Sequence, residues 1–125
     1  MPGKILVVED NESIRSIVRM TLEHANHKVL EAENGLKAVE FLKRERDIDL
    51  VITDLAMPVL DGFELLDFIR KEQQDATLPV FVLSAEKDAG DAEEHGATRI
   101  IRKPFSPIGL LEMIDEALKK GRGGH

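Results

Sequence analysis

Polar side chains follow several apolar runs of this sequence, at the points where buried strands would end. Glu9 and Asp10 close the first run, Asp54 closes another, and Ser84 and Lys103 follow two more. Three carboxylates that share one pocket at roughly 5 Å would repel by about 3 kcal/mol per pair at an effective dielectric of about 20. The cluster therefore needs a cation, and Mg²⁺ suits it because that ion prefers hard oxygen ligands and needs only a few carboxylates.

Phosphoryl transfer is the chemistry that this combination of groups can support. A carboxylate beside Mg²⁺, an ammonium and a hydroxyl is well placed to attack phosphorus, because the cations neutralise the charge that builds on the phosphoryl oxygens. Asp54 would be the nucleophile, Lys103 the second counter-charge and Ser84 the hydroxyl. The product would be an aspartyl phosphate. Each element alone is weak evidence, but their joint placement at four strand ends is specific.

The elements that must position these groups form a repeating strand and helix pattern. Short apolar runs predict five strands, at Lys4–Val8, around Val29-Leu30, at Leu50–Thr53, at Val80–Leu83 and at Arg99–Ile101. Apolar residues at three-four spacing predict the helices between them. The first stripe, predicted to pack on the sheet with Asn11 as helix cap, consists of Ile14, Ile17, Val18, Leu22 and Ala25. Ser106-Pro107 is a strong start for the last helix.

This alternation predicts an α/β fold, a doubly wound (βα)5 flavodoxin-like three-layer sandwich. Right-handed crossovers imply a parallel sheet covered on both faces. The first, third and fourth runs are the most apolar, which favours central positions and the strand order 2-1-3-4-5. Ligands of such sheets bind beyond the carboxyl ends of the strands, where the strand order reverses. That crevice contains Glu9, Asp10 and Asp54.

Several short motifs carry a resemblance to a known family. They are Ile5-Leu6-Val7-Val8-Glu9-Asp10, Thr53-Asp54-Leu55-Ala56-Met57-Pro58 with Asp61-Gly62, Leu83-Ser84-Ala85, Gly96-Ala97 and Lys103-Pro104-Phe105. Together they resemble the response-regulator receiver domain of two-component signalling. The likeness is to single-domain chemotaxis-type regulators and covers roughly residues 3–120. The resemblance implies a phosphorylation-controlled switch, which promotes only its own phosphorylation and dephosphorylation and is not an enzyme acting on a separate substrate.

The resemblance also implies a role for each matching residue in the metal site. Asp54 is expected to be the phosphoacceptor. Asp10 is expected to bind Mg²⁺ directly, and Glu9 mainly through water. The backbone carbonyl of Ala56 is expected to complete the protein's share of the metal shell.

Further expectations concern the phosphoryl group and the partners. Ser84 would contact the phosphoryl group in the active state, and Lys103 would pair first with Asp54 and then with a phosphoryl oxygen. The bond between Lys103 and Pro104 would be cis, which proline tolerates unusually well. The donor would be a sensor histidine kinase or a histidine phosphotransfer protein, and the output would pass to a downstream protein target that the sequence does not identify.

Two features depart from the family pattern. Ile100 stands three positions before Lys103, where the family usually has an aromatic residue whose orientation follows the Ser or Thr. The stretch from Ser84 to Gly96 is short and contains Gly90, so the fourth helix is predicted to be short or irregular. By the resemblance, Glu86 and Ala56 occupy positions that in this family tune how readily water attacks the acyl phosphate.

Length, composition and charge limit the classes of protein to which this chain can belong. The chain has 125 residues, no cysteine and a formal net charge of -7. This length predicts a single domain, which by the resemblance is a receiver domain over residues 1–120. The glycine-rich residues 121–125 are predicted to form a flexible tail. The negative charge argues against direct binding of nucleic acid, and the apolar runs are too short for membrane insertion. The four histidines lack metal-ligand spacing and are predicted to lie at the surface. A cytoplasmic location fits these features.

Three other functions remain as alternatives. A phosphorylation-independent pseudo-receiver, which uses the fold only as an interaction module, is compatible with Ile100 and a short fourth helix. An aspartyl-phosphate phosphatase would usually have a second acid two residues after the nucleophile, where this chain has Ala56. A flavin-binding protein of this fold is disfavoured because the chain has no tryptophan or tyrosine to stack on the ring.

Overall fold

Five strands and five helices alternate along the chain, in a computed structural model that describes residues 2–57, 59–85 and 91–120. The strands are β1 (Lys4–Val8), β2 (Lys28–Ala32), β3 (Leu50–Asp54), β4 (Val80–Ser84) and β5 (Arg99–Arg102). The helices are α1 (Glu12–His24), α2 (Gly35–Arg44), α3 (Gly62–Asp67), α4 (Asp91–Glu94) and α5 (Pro107–Lys120). A π-helical turn over Phe68–Glu72 continues α3.

The strands form one parallel sheet in the order β2-β1-β3-β4-β5, which confirms the predicted order. Alternate residues of each strand face opposite sides of the sheet. One face packs against α1 and α5, with Ile52 and Leu83 of the central strands in that core layer. The other face packs against α2 and α3, with Val51 and Val82 in its layer. The result is the predicted three-layer sandwich.

Polar caps begin the helices where the sequence predicts them. Asn11 accepts a hydrogen bond from the Ile14 amide at 3.0 Å, and Asn34 accepts one from the Lys37 amide at 2.9 Å. The Ser106 hydroxyl accepts one from the Gly109 amide at 3.2 Å. These bonds satisfy amides at the helix start that have no partner within the helix.

One detail of α1 differs from the sequence prediction. Ile17 was expected on the buried stripe of α1 but is 49% exposed, because Val18 and Leu22 define the centre of that stripe and Ile17 lies about 100° around the helix from Val18. In the π-helical turn that continues α3, the Gln73 amide donates to the Phe68 carbonyl at 2.9 Å.

In the described part of the chain, α4 spans Asp91–Glu94, and because residues 86–90 directly before it lie outside the described ranges, a short fourth helix stays a prediction. Predictions about Glu86, Gly90 and the tail over residues 121–125 fall on residues outside the described ranges, and the proposed domain bounds remain a prediction. His27 was expected at the surface, but it is half-buried and its Nδ1 accepts a hydrogen bond from the Gly3 amide at 3.0 Å. Among the described residues, no helix combines the length and the apolar character needed to span a membrane.

Candidate functional site

The carboxyl ends of β1 and β3 bring the acidic residues together. Val8 pairs with Thr53 across these strands, so Glu9 and Asp54 follow at adjacent positions. Each is buried, with Glu9 1% and Asp54 8% exposed, whereas Asp10 is exposed. Oxygen atoms of all three carboxylates lie within 4.8 Å of one another. This grouping agrees with the crevice that the sequence predicts.

Lys103 closes the site from the end of β5. Its Nζ lies 3.2 Å from Glu9 Oε1 and 3.3 Å from Asp54 Oδ1. Burial lowers the pKa of Lys103, but the two carboxylates, Asp54 foremost, outweigh that effect and raise the pKa above its ordinary value. The side chain therefore stays charged and offsets part of the negative charge.

Glu9 is the carboxylate most affected by its surroundings. Burial, followed by repulsion from the Asp54 carboxylate, raises the pKa of Glu9 to about 7. The Asn11 amide, which donates to Glu9 Oε2 at 3.3 Å, and the Lys103 ammonium act in the opposite direction. The effects of burial and of Asp54 on the pKa of Glu9 therefore outweigh those of the Asn11 amide and the Lys103 ammonium.

This donor set fits a divalent cation with hard-ligand preference. Three carboxylates from two neighbouring strands supply oxygen ligands, and the described chain places no histidine among them. Mg²⁺ takes a few carboxylates and retains water in its remaining positions. The exposure of Asp10 leaves one side of the cluster open to solvent. The acidic group can therefore hold Mg²⁺.

The backbone around Asp54 links the site to α3. Leu55 N–H donates to Asp54 Oδ1 at 2.9 Å, and Gly62 N–H donates to the Leu55 carbonyl at 2.9 Å. A Cβ atom at position 62 would lie 2.6 Å from the Asp54 carbonyl oxygen and 2.8 Å from Leu55 Cα. Only glycine permits this close approach, so the first residue of α3 packs directly on the backbone of the candidate phosphoacceptor.

Ser84 and Ala56 occupy the strand end and the loop that the sequence predicts. Ser84 is the last residue of β4 and is 1% exposed, one position beyond the pair formed by Asp54 and Leu83. Its carbonyl accepts a hydrogen bond from Lys103 N–H at 3.0 Å, which ties the end of β5 to β4. Ala56 lies in the loop after β3 and is exposed. The roles of both residues toward metal and phosphoryl group stay predictions.

Two further expectations concern β5 and the loop after it. Ile100 pairs with Val82 of β4 and is partly buried against the core layer beneath α2 and α3. The peptide bond between Lys103 and Pro104 is cis, which confirms the prediction.

Arg15 is a residue of the site that sequence reasoning missed. Its Nη1 donates to the backbone carbonyl of Glu9 at 2.8 Å, and its Nε lies 3.4 Å from Glu31 Oε1 on β2. One signal was available, since Arg15 lies in the first half of the helix that directly follows the acidic pair. A basic residue at that position does not by itself reveal whether it reaches back to the loop or out to solvent.

Curated relatives match the chain over nearly its whole length. A chemotaxis protein CheY homolog from Campylobacter jejuni is 36% identical over 126 residues, covering 96% of this chain and 95% of the relative. Chemotaxis protein CheY1 from Helicobacter pylori is 34% identical over 121 residues, covering 92% of this chain and 96% of the relative.

Solved structures agree with these relatives. Chemotaxis response regulator CheY4 of Vibrio cholerae has a TM-score of 0.83 and 33% identity, covering 94% of this chain and 99% of that one. A putative response regulator from Chloroflexus aurantiacus has a TM-score of 0.87 and 27% identity, covering 95% and 99% of the two chains. The family model of the response regulator receiver domain matches residues 5–115. This protein therefore belongs to the response regulator receiver domain family.

Proposed function

We propose that this protein is a phosphorylation-controlled signalling switch that accepts a phosphoryl group on Asp54. A sensor histidine kinase or a histidine phosphotransfer protein would be the donor, and the reaction would depend on Mg²⁺. The modified domain would signal through contacts with a downstream protein. Its net charge of -7 disfavours nucleic acid as that target.

The observation that carries this proposal is the environment of Asp54. Its carboxylate ends a central strand, is nearly buried, and lies within 4.8 Å of two other carboxylates and 3.3 Å from an ammonium. A carboxylate in such surroundings is held in place and stripped of most solvent, yet keeps a cation beside it. These are the conditions under which a carboxylate can act as a nucleophile toward phosphorus.

The transfer step forms one bond and breaks another. A carboxylate oxygen of Asp54 attacks the phosphorus of a phosphohistidine, so that an O–P bond forms while the P–N bond breaks and its electron pair returns to the imidazole. Lys103 Nζ, already 3.3 Å from Asp54 Oδ1, stabilises charge on the phosphoryl oxygens as they arrive. The Ser84 hydroxyl would donate a hydrogen bond to one of those oxygens once the phosphoryl group is in place.

The Mg²⁺ would be held by the carboxylates of Glu9, Asp10 and Asp54 and by the backbone carbonyl of Ala56. Asp10 would bind the ion by direct contact, and Glu9 would bind it mainly through water. When bound, this ion supplies charge neutralisation for phosphoryl transfer. Arrival of the phosphoryl group would draw Ser84 and Lys103 toward it and shift an equilibrium between inactive and active surfaces.

Intact mass measurement tests the proposal. The protein is incubated with a small acyl-phosphate donor, with and without Mg²⁺, beside an Asp54→Asn variant. We expect the mass to increase by one phosphoryl group only when both Mg²⁺ and Asp54 are present. Asp115→Asn is a suitable control, because that exposed carboxylate on α5 lies outside the acidic cluster.

The absence of a mass increase in the wild-type protein would contradict Asp54 as a phosphoacceptor from small donors. The pseudo-receiver would then become the leading function, because Ile100 and the fourth helix that the sequence predicts to be short both depart from the family pattern. An increase that persists in Asp54→Asn would place the phosphoryl group on another residue and would contradict the proposal equally.

A further inference from the structure

Arg15 connects three elements at the edge of the acidic site. It extends from the second turn of α1, donates through Nη1 to the Glu9 carbonyl at 2.8 Å, and lies with Nε 3.4 Å from Glu31 Oε1 on β2. Its side chain is 17% exposed. The planar guanidinium thus links Glu9, the first residue of the acidic loop formed by Glu9 and Asp10, to β2 at the edge of the sheet.

The backbone of Glu9 is held from both sides. Its N–H donates to the Ala32 carbonyl at 3.0 Å, which extends the pairing of β1 with β2 by one residue. Its carbonyl accepts from Arg15. Without the guanidinium, the backbone of Glu9 would keep only the bond from its N–H to Ala32, and the Glu9 carbonyl would lose its contact with Arg15. The backbone at Glu9 and Asp10 determines how far the two side chains stand from Asp54.

We propose that Arg15 is a positioning residue that sets the geometry of the carboxylates for divalent cation binding. The inference rests on the proposed function, because it concerns the Mg²⁺ that the phosphoryl transfer would use. Arg15 does not touch the cation in this account. It acts through the backbone of Glu9, so its loss widens the range of positions available to Glu9 and Asp10.

A purely electrostatic role and a positioning role of Arg15 predict opposite changes in Mg²⁺ affinity when the residue is replaced. Removal of a positive charge near three carboxylates makes the site more negative and strengthens its attraction for a cation. If Arg15 mattered only through charge, its loss would tighten Mg²⁺ binding. If it positions the loop, its loss weakens binding, since removal of a group that orients metal ligands typically costs about 10- to 100-fold in affinity.

Arg19 is a matched control on the same helix. It lies one turn further along α1, carries the same charge, and contacts the same Glu31 with Nε 3.5 Å from Oε2. Its Nη1 is 2.8 Å from Glu23 Oε1, so its guanidinium is turned along the helix rather than toward the acidic loop. Arg15→Met and Arg19→Met therefore remove equal charge and a contact with Glu31, but only Arg15→Met removes the bond to Glu9.

The dissociation constant for Mg²⁺ would be measured by calorimetric titration of the full chain with MgCl₂. We expect it to rise by about tenfold in Arg15→Met, at the lower end of the range for such residues, and to stay within about twofold of wild type in Arg19→Met. In the metal-free proteins, hydrogen exchange of the Glu9 and Asn11 amides should be faster in Arg15→Met than in Arg19→Met. A merely structural role would lower the free energy of unfolding without a change in Mg²⁺ affinity.

Unchanged or tighter Mg²⁺ binding by a folded Arg15→Met protein would overturn the positioning role. Arg15→Lys provides a second variant if Arg15→Met fails to fold, because lysine keeps the charge but not the planar fork that spans Glu9 and Glu31. Its dissociation constant should lie between those of wild type and Arg15→Met, and a wild-type value would overturn the inference. Failure of the wild-type protein itself to bind Mg²⁺ would overturn the proposed function and this inference together.

Discussion

Lys103 balances two opposing requirements of the site. Its ammonium lies 3.2 Å from Glu9 Oε1 and 3.3 Å from Asp54 Oδ1, so it competes with a bound cation for the same carboxylates. We have also proposed that it stabilises the charge of the incoming phosphoryl group. Binding of Mg²⁺ and rate of phosphorylation should therefore respond in opposite directions to its removal.

Lys103→Met should bind Mg²⁺ more tightly than wild type and be phosphorylated about 10²-fold more slowly, which is the usual cost of losing one charge-stabilising group. The measurements are a calorimetric Mg²⁺ titration and the initial rate of mass increase with a small acyl-phosphate donor. Lys119→Met is the control, because that exposed lysine on α5 pairs only with Asp115 among the described residues. Weaker Mg²⁺ binding by Lys103→Met would contradict the competition described here.

His27 makes stability depend on pH. Burial lowers the pKa of His27, and its Nδ1 accepts a hydrogen bond from the Gly3 amide at 3.0 Å, which requires an unprotonated nitrogen. The unfolded chain therefore binds a proton more readily than the native protein. The contribution of His27 to stability is present above the unfolded pKa of about 6.5 and is lost as pH falls through that value and below it.

In a His27→Asn variant, the asparagine side chain can still accept a hydrogen bond from the Gly3 amide but does not titrate between pH 5 and 8. The free energy of unfolding of His27→Asn, measured with urea at several pH values from 5 to 8, should depend less on pH than that of wild type. Glu9, whose pKa is raised, contributes stability with the opposite slope in both proteins, so the difference between the two curves isolates His27. Parallel curves would show that His27 does not change its protonation on folding.

At the level of secondary structure elements, the contact of α3 with the backbone of β3 depends on Gly62. Gly62→Ala would place a Cβ atom 2.6 Å from the Asp54 carbonyl oxygen, and backbone cannot yield as a flexible side chain could. We expect a loss of about 1 to 3 kcal/mol in the free energy of unfolding, as in other overpacked sites. Chemical denaturation measures it.

Gly109 in α5 offers the contrasting substitution. A Cβ atom there would meet the Ser106 side chain at 3.5 Å, an ordinary contact. Gly109→Ala should therefore stabilise the protein by about 0.5 to 1 kcal/mol through helix propensity alone. Equal effects of the two substitutions would show that the contact of Gly62 with Asp54 and Leu55 has no special cost.

The loop between β3 and α3 contains a strained backbone conformation. Val59 has a φ of 73°, a region that costs an L-residue about 1 to 2 kcal/mol and that a β-branched side chain rarely adopts. Asn enters this region more easily. Val59→Asn should therefore raise the free energy of unfolding by about 1 kcal/mol.

Differential scanning calorimetry of Val59→Asn beside Ile108→Asn separates the relief of backbone strain from the removal of an exposed apolar side chain. Ile108 is also an exposed branched residue, but it lies in α5, where the backbone is helical. Only Val59→Asn should raise the melting temperature. A similar increase in both variants would attribute the gain to the removal of exposed apolar surface.

For the whole molecule, occupation of the acidic site should couple to folding. The cluster joins residues at the ends of β1 and β3 that the folded chain brings together, so Mg²⁺ would bind the native state in preference to the unfolded one. At Mg²⁺ concentrations about tenfold above the dissociation constant, we expect a stabilisation of about 1.4 kcal/mol. For a chain of this size, that corresponds to an increase of a few degrees in melting temperature.

Asp10→Asn should remove most of this Mg²⁺-dependent increase, whereas Asp115→Asn should retain it, because Asp115 lies on α5 outside the cluster. Thermal unfolding with and without Mg²⁺ at constant ionic strength is the measurement. An equal increase in all three proteins would reflect a general salt effect rather than binding at the cluster.

The sequence by itself determined the elements and the side chains that end them. Apolar runs predict where strands lie, polar caps such as Asn11 and Ser106 predict where helices begin, and both signals depend on residues close together in the chain. The strand order followed because the most apolar runs favour central positions in a sheet covered on both faces. Right-handed crossovers implied that the strands are parallel. Glu9, Asp54, Ser84 and Lys103 could be assigned to one edge of the sheet because the carboxyl ends of parallel strands meet there.

Only the tertiary structure decided which of these groups touch and how deeply they are buried. The contact between Lys103 and Glu9 joins residues 94 positions apart, and the bond from Arg15 to the Glu9 carbonyl depends on how α1 lies across the sheet. The exposure of Ile17 likewise depends on which face of α1 packs on the sheet. Local patterns encode periodicity and caps, but contacts below 4 Å depend on the relative placement of whole elements, which no single segment of the chain contains.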